Sequence, residues 1–183
     1  MQERKRAVFL DRDGVITKSI TRDGKPYAPT NLKEFEYLPK IKESIDLLRQ
    51  LGFALVVVTN QPDLTTRKVS QETLDQMHQK LLSDFHFDSI EVCPHIEQDA
   101  CLCRKPKSDL LLNAAQKLEI DLKKSYMVGD RWRDVSAGTN AGCKTFFIDY
   151  GYSEKGPDQP DCTVQSLWDA ALKIKEWEKN SNG

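Results

Sequence analysis

The chain alternates between two hydrophobic patterns. Short, nearly continuous apolar runs at 7–10 (AVFL) and 54–59 (ALVVVT), with further ones at 89–92, 125–128 and 145–148, have the length and apolar content of strands covered on both faces. Between them, longer stretches at 39–51, 70–85, 107–118 and 135–141 read as helices, the first carrying Ile41, Ile45, Leu48 and Leu51 as its apolar stripe. A closing helix is expected over 163–177, with Leu167, Trp168, Leu172 and Trp177 sealing the core, and the tail from about 178, ending in NSNG, is expected to fray. The Gly- and Pro-bearing stretch 23–29 reads as a loop. Strand and helix in alternation predict an α/β fold with a doubly wound, Rossmann-like parallel sheet.

Such a sheet binds ligands at the carboxyl ends of its strands, so the residues that follow the strands should be chemically rich. They are: the first strand runs into DRDG, the second into TNQ, the third into a cysteine loop ending in RK, and the fourth into GDRWRD. Composition adds limits. The 183 residues, 39% hydrophobic and 30% charged, suit one domain spanning 1–183. A formal net charge of -1 speaks against nucleic acid or a membrane surface as partner, while local basic clusters can still hold a small phosphorylated metabolite. No apolar run has the length of a membrane span and the start MQERKR lacks a signal-peptide core, so the cytoplasm is the expected address; a monomer is expected as well. Five cysteines, three of them in one loop, suit reduced thiols and a metal site better than a disulfide framework.

Each loop carries its own chemistry. Asp11 and Asp13 stand two positions apart at a strand end, with Gly14 allowing a sharp turn; an extended backbone through Arg12 would point both carboxylates to one side. One could attack phosphorus while the other shuttles a proton, and two anions facing a phosphate call for a divalent cation such as Mg²⁺. Taken alone, DRDG is equally a turn with solvated charges. Asp130, after an apolar strand, could be a further metal ligand, with Asp134 one turn later orienting its neighbours, or simply a helix cap. Thr59, Asn60 and Gln61 place a hydroxyl and backbone N–H groups where a phosphoryl group could be held, though capping would also explain them. Lys105 offers a fixed positive charge and Arg104 a planar fork for an oxyanion or sugar hydroxyl; either could equally be a surface residue. The coincidence of four such signals in the four loops decides for a single site.

In the third loop, CPHIEQDACLCRKP, the residues Cys93, His95, Cys101 and Cys103 form a Cys₃His set, a tetrahedral zinc combination. Four protein ligands close the site, which makes the zinc structural. His78 and His86 read as surface or partly packed side chains, and Trp132 as packing on the sheet or else covering the rim of the site.

In this order, LDRDG, VVTNQ, RKP and VGDRWRD resemble the four motifs of the haloacid dehalogenase superfamily of phosphatases, over nearly the whole chain. The resemblance implies that Asp11 is a nucleophile forming an aspartyl-phosphate, Asp13 the acid and base, Thr59 a phosphoryl binder, Lys105 a stabilising charge, and Asp130 an Mg²⁺ ligand beside Asp11 and the Asp13 carbonyl. DRDG together with the Cys-x-His…Cys-x-Cys-Arg-Lys-Pro loop is similar to the capless, zinc-carrying branch that holds the heptose bisphosphate phosphatases and the histidinol-phosphatase domains. The brevity of the segment between Asp13 and Thr59 agrees, since a separate cap domain would not fit in it. The branch implies heptose 1,7-bisphosphate as substrate, with histidinol phosphate as the alternative, and places Asn60, Gln61, Arg104 and Arg131 on the substrate side of the site. Departures are TNQPDLTTRK, where heptose-type chains have Thr-Asn-Gln-Ser-Gly and a following Arg-Gly; KSDLL, where Pro-Gly-Met is common; and Arg131, where lysine is common.

Overall fold

The structure, a computed structural model, describes residues 4–181, for Ser181 the backbone alone. Five parallel strands fall where the apolar runs predict them: β1 (Arg6–Leu10), then after a hairpin of β2 (Ile20–Arg22) and β3 (Lys25–Tyr27), β4 (Phe53–Asn60), β5 (Ser89–Cys93), β6 (Tyr126–Gly129) and β7 (Lys144–Ile148). A sixth, β8 (Cys162–Val164), joins the edge, giving the order β5-β4-β1-β6-β7-β8. The chain builds outward from β1 to one side, returns, and builds to the other side from β6. The switch of direction therefore lies at the β1/β6 junction, where Asp11 N–H donates to Val128 O at 3.0 Å.

Helices cover both faces. The strands alternate: Val8 and Leu10 of β1, with Leu55 and Val57 of β4, lie in one core with Ile41, Ile45 and Leu48 of α1 (Ile41–Gln50). That core also takes Met77, Leu81 and Phe85 of α3 (Gln71–Phe85) and Leu167 and Ile174 of α6 (Leu167–Ser181). Ala7, Phe9, Val56 and Val58 face the other core, with Leu111 and Ala114 of α4 (Asp109–Leu118) and Ala137 of α5 (Trp132–Ala141). Each fully buried Leu, Val or Phe side chain contributes about 1.5–3 kcal/mol, which fixes the register and so the height of the strand ends. Local signals set the helix starts. Ser70 accepts from Thr73 N–H at 3.1 Å as the α3 cap, and α1 begins only at Ile41 because Lys40 is left-handed at φ 58°.

Two expectations are corrected. The stretch 23–29 is not an open loop: Asp23 (φ 49°) and Gly24 (φ 71°) make a tight turn of the left-handed kind that joins hairpin strands, and Lys25, Pro26 and Tyr27 pair back on Ile20, Thr21 and Arg22. The closing helix does not start at 163, where the chain instead pairs β8 with β7, and it does not stop at Trp177. Glu178 accepts from Tyr126 Oη at 2.7 Å and pairs with Arg6, so the side of α6 facing the sheet stays held past the expected fray point; Asn182 and Gly183 lie outside the described residues. Trp132 is partly buried and lies under Lys155 Nζ, 4.2 Å from its ring centre, and beside Arg133. Among the described residues no helix is long and apolar enough to cross a membrane.

Candidate active site

A cleft of about 370 Å³ opens over the carboxyl ends of β1, β4 and β6, lined by Asp11, Asp13, Asn60, Arg104, Lys105 and Asp130 among others. Its floor is a buried charge cluster. Lys105 Nζ, 1% exposed as a residue, reaches Asp11 Oδ1 at 2.9 Å, Asp134 Oδ1 at 2.6 Å and Val58 O at 2.8 Å. Carboxylate oxygens of Asp11, Asp130 and Asp134 all lie within 4.8 Å of one another. Three buried carboxylates against one ammonium carry excess negative charge. Burial first, then the neighbouring Asp134, raises Asp11 to about 7 against the pull of Lys105, and burial with Asp11 and Asp134 holds Asp130 well above the usual carboxylate range. Lys105 is pushed up by Asp11 and Asp134 despite its burial, so it stays charged.

The donor set suits a divalent cation, and the individual atoms say which members would hold it. Among the described residues Asp130 Oδ1 is buried without a hydrogen-bond partner, while its Oδ2 accepts from Tyr152 Oη at 2.9 Å. An orphaned buried carboxylate oxygen is costly unless something else pairs with it, and a hard cation would. Asp134 is already committed, Oδ1 to Lys105 and Oδ2 to the Arg131 N–H at 3.0 Å. Asp11 and Asp130 are therefore the fitting ligands, with Asp134 as their support. Gly14 (φ 87°) permits the close approach, since a Cβ there would stand 1.9 Å from Asp130 Oδ2.

Asp13 lines the cleft too, with both its oxygens taken by partners outside this cluster. Its Oδ1 accepts from Arg12 Nε and Thr17 Oγ1, both at 2.9 Å; its Oδ2 accepts from Arg12 Nη2 at 2.9 Å and Gln61 Nε2 at 2.8 Å. Arg12 between the two aspartates sits in a bend and not in extended backbone, and Asp11 and Asp13 both line the cleft. Gln61 also donates to Thr59 Oγ1 at 2.8 Å, so one buried amide ties the second loop to Asp13. Asn60 faces the third loop: its Oδ1 accepts from Lys105 N–H and its Nδ2 donates to Lys105 O, each at 3.1 Å.

The cysteine loop meets the same floor. Cys93 Sγ lies 3.6 Å from His95 Nδ1 and 3.7 Å from Cys101 Sγ; Cys103 Sγ lies 3.3 Å from His95 Nδ1 and 3.5 Å from Cys101 Sγ. A tetrahedron with Zn–S bonds of about 2.3 Å has edges of roughly 3.8 Å, so the four atoms fit such an ion. Arg104 follows at once and braces the loop, donating from Nη1 to His95 O at 3.0 Å, while Asn60 holds Lys105 from the other side.

On the rim, Arg131 forks Glu154, through Nε at 2.9 Å and through Nη2. The atypical TNQPDLTTRK segment forms the short helix α2 (Pro62–Thr65), placing Asp63 and Lys68 on the cleft wall, 3.8 Å apart at their charged atoms. Lys25 and Tyr27 of the hairpin face the same space. Sequence reasoning missed Arg12, Tyr152 and this hairpin. Arg12 was findable, because the alternation that buries Val8 and Leu10 puts it next on the same face; Tyr152 carries no local signal.

A family model described as HAD-hydrolase-like matches residues 102–170. The chain is 36% identical over 145 residues to the D-glycero-beta-D-manno-heptose-1,7-bisphosphate 7-phosphatase of Helicobacter pylori strain J99, spanning 76% of this chain and 80% of that one. It is 34% identical over 188 residues to the enzyme of the same name from Escherichia coli K12, spanning 94% and 95%. Among solved structures, the D,D-heptose 1.7-bisphosphate phosphatase from B. bronchiseptica, complexed with magnesium and phosphate, superposes with a TM-score of 0.77 at 26% identity, over 93% of this chain and 98% of that one. With four motif loops converging on one cleft and relatives matched over most of both chains, this chain belongs to the haloacid dehalogenase superfamily of phosphatases, in the branch of the heptose 1,7-bisphosphate phosphatases.

Proposed function

We propose that the chain hydrolyses a phosphate monoester of a small phosphorylated sugar, removing the 7-phosphate of D-glycero-D-manno-heptose 1,7-bisphosphate. The observation that carries the reading is Asp11. It is buried at the β1/β6 switch point, paired to Lys105, and sits beside an Asp130 oxygen that has no hydrogen-bond partner among the described residues. The names of the relatives supply the substrate.

In the first step an Asp11 oxygen attacks phosphorus and the bond to the sugar oxygen breaks, with Asp13 giving its proton to that oxygen. In the second, Asp13 takes a proton from water as the water attacks the aspartyl-phosphate, which releases phosphate and restores Asp11. Lys105 holds positive charge against the phosphoryl oxygens, a contribution that is commonly the largest in phosphoryl transfer. Thr59 offers its hydroxyl, and Asn60 acts by fixing Lys105 through both its backbone N–H and its backbone carbonyl. Arg104 and Arg131 line the cleft as polar groups for substrate, beside Lys25, Lys68 and Arg133, while Gln61 is buried and shared between Asp13 and Thr59. Asp11 and Asp130, with the Asp13 carbonyl, would hold Mg²⁺, which when bound supplies charge neutralisation and orientation for the phosphoryl group. The Cys₃His cluster would hold structural zinc that presents Arg104 and Lys105.

Turnover of heptose 1,7-bisphosphate and of histidinol phosphate by the purified protein with Mg²⁺ tests this. Preference for the heptose by at least about tenfold in kcat/KM is expected; the reverse preference would reassign the substrate, and absence of phosphate release from both would end the reading.

A further inference from the structure

Among the described residues Arg12 is the largest fully buried side chain, and its charge has one carboxylate partner there, Asp13. Nε and Nη2 make the two-pronged fork to Asp13. Nη1 points the other way, into α3, where it meets Met77 Sδ at 4.0 Å and His78 Nε2 at 3.2 Å, with the Phe35 ring 5.4 Å from the guanidinium carbon. An arginine can only donate, so Nε2 of His78 must accept, and the neutral ring carries its proton on Nδ1. Burial, and then the Arg12 charge, push His78 down to about 4, which keeps Nε2 free to accept at neutral pH. No part of the proposed reaction uses this histidine.

Sulfur is a weak acceptor, so without His78 the Nη1 edge of a buried guanidinium would be left nearly unpaired. The group would turn to find another acceptor, and a turned guanidinium cannot keep both prongs on Asp13. We propose that His78 is a positioning residue: it fixes the plane of Arg12, and through that fork α3 sets where the Asp13 carboxyl rests between proton transfers. This rests on the phosphatase reading for its effect on rate but not for its geometry. Asp13, with all four of its bonds made to Arg12, Thr17 and Gln61, must loosen part of this grip to reach a leaving oxygen. Its starting position is thus part of the barrier, and misplaced proton donors lose rate rather than substrate affinity.

The test pairs His78→Leu with His78→Gln, whose amide oxygen can replace Nε2 as acceptor. His78→Leu should lower kcat about tenfold with KM changed by less than about twofold, and His78→Gln should recover most of the loss. Wild-type kcat in His78→Leu, or an equal loss in both variants, would overturn the proposal. A second readout needs no turnover: long-range ¹H–¹⁵N spectra of the imidazoles. Wild-type His78 should be the Nδ1–H tautomer with a hydrogen-bonded Nε2, and Asp13→Asn should move that resonance by loosening the fork. A protonated Nε2, or a resonance indifferent to Asp13→Asn, refutes the positioning role even for a protein that cleaves no ester, whereas an inactive wild type with the expected spectrum refutes only the phosphatase reading.

Discussion

Cys93, His95, Cys101 and Cys103 turn their donor atoms toward one another, with edges of 3.3–3.7 Å, whereas Asp11, Asp130 and Asp134 gather around Lys105 and still leave Asp130 Oδ1 unpaired. Both clusters have metal-binding chemistry, yet one is closed on itself and the other opens on a cleft. A closed set of soft donors gives an ion nothing further to bind, which is the condition for a structural role. An open set of hard oxygens beside a buried ammonium leaves room for a phosphoryl group, which is the condition for chemistry. The two are joined in sequence and space by Arg104, braced on His95 of the first cluster, and Lys105, whose ammonium enters the second.

Removing the nucleophile should separate the clusters most sharply. Asp11→Asn is expected to lower phosphate-ester turnover by at least about 10³-fold while circular dichroism and zinc content stay as in the wild type. Cleavage at an undiminished rate would show that the open cluster is not the reaction centre. Next in size, Cys101→Ser should release zinc and destabilise the protein by roughly 2–4 kcal/mol, with kcat lowered through displacement of Arg104 and Lys105. Metal analysis and urea melts read this directly, and zinc loss without any change in stability or rate would leave the closed cluster without a supporting role.

A third prediction follows from charge. Asp11 is raised to about 7 and Asp130 is raised as well, both primarily by burial. Groups raised in the fold contribute stability that is full below the ordinary carboxylate range and is lost as pH climbs through the folded value. Without Mg²⁺, the melting temperature should therefore fall between about pH 5 and pH 8, and added Mg²⁺ should raise it more at the upper end, where no proton competes with the ion. A chelator-treated series that is flat in pH, or a larger Mg²⁺ effect at pH 5, would contradict the charge assignment. The smallest effect expected is that of Asn60→Ala, which removes both bonds to the Lys105 peptide: about 1–2 kcal/mol of stability and a severalfold fall in kcat, measured by melts and steady-state kinetics. An unchanged kcat would mean that the zinc side alone positions Lys105.

Much of this was legible in the sequence because the information is local. Continuous apolar runs at 54–59 and 7–10 leave few options other than buried strands, and Cys93, His95, Cys101 and Cys103 fall within eleven residues, so their convergence needs little tertiary help. The short elements were less legible. The three-residue strand β8 is too brief to show a period of two, so its valine merged with the helical spacing that follows. The Asp23-Gly24 turn was readable in principle, but strands of three residues on either side gave it no flanking pattern.

By itself the sequence determined the α/β alternation, the order of the four loops and the identity of the groups they carry, because backbone geometry forces residues after parallel strands to one edge of the sheet. Only the tertiary structure decided how those groups divide. Asp134, not Asp13, joins Asp11 and Asp130 in the buried charge cluster, since Arg12 is drawn into the core beneath α3 and a buried guanidinium must keep a carboxylate with it. Tyr152, twenty-two residues from Asp130, closes one of its oxygens and leaves the other open. Which atoms of a site are already paired, and which remain for a ligand, depends on distances between segments remote in the chain, and no local pattern encodes those.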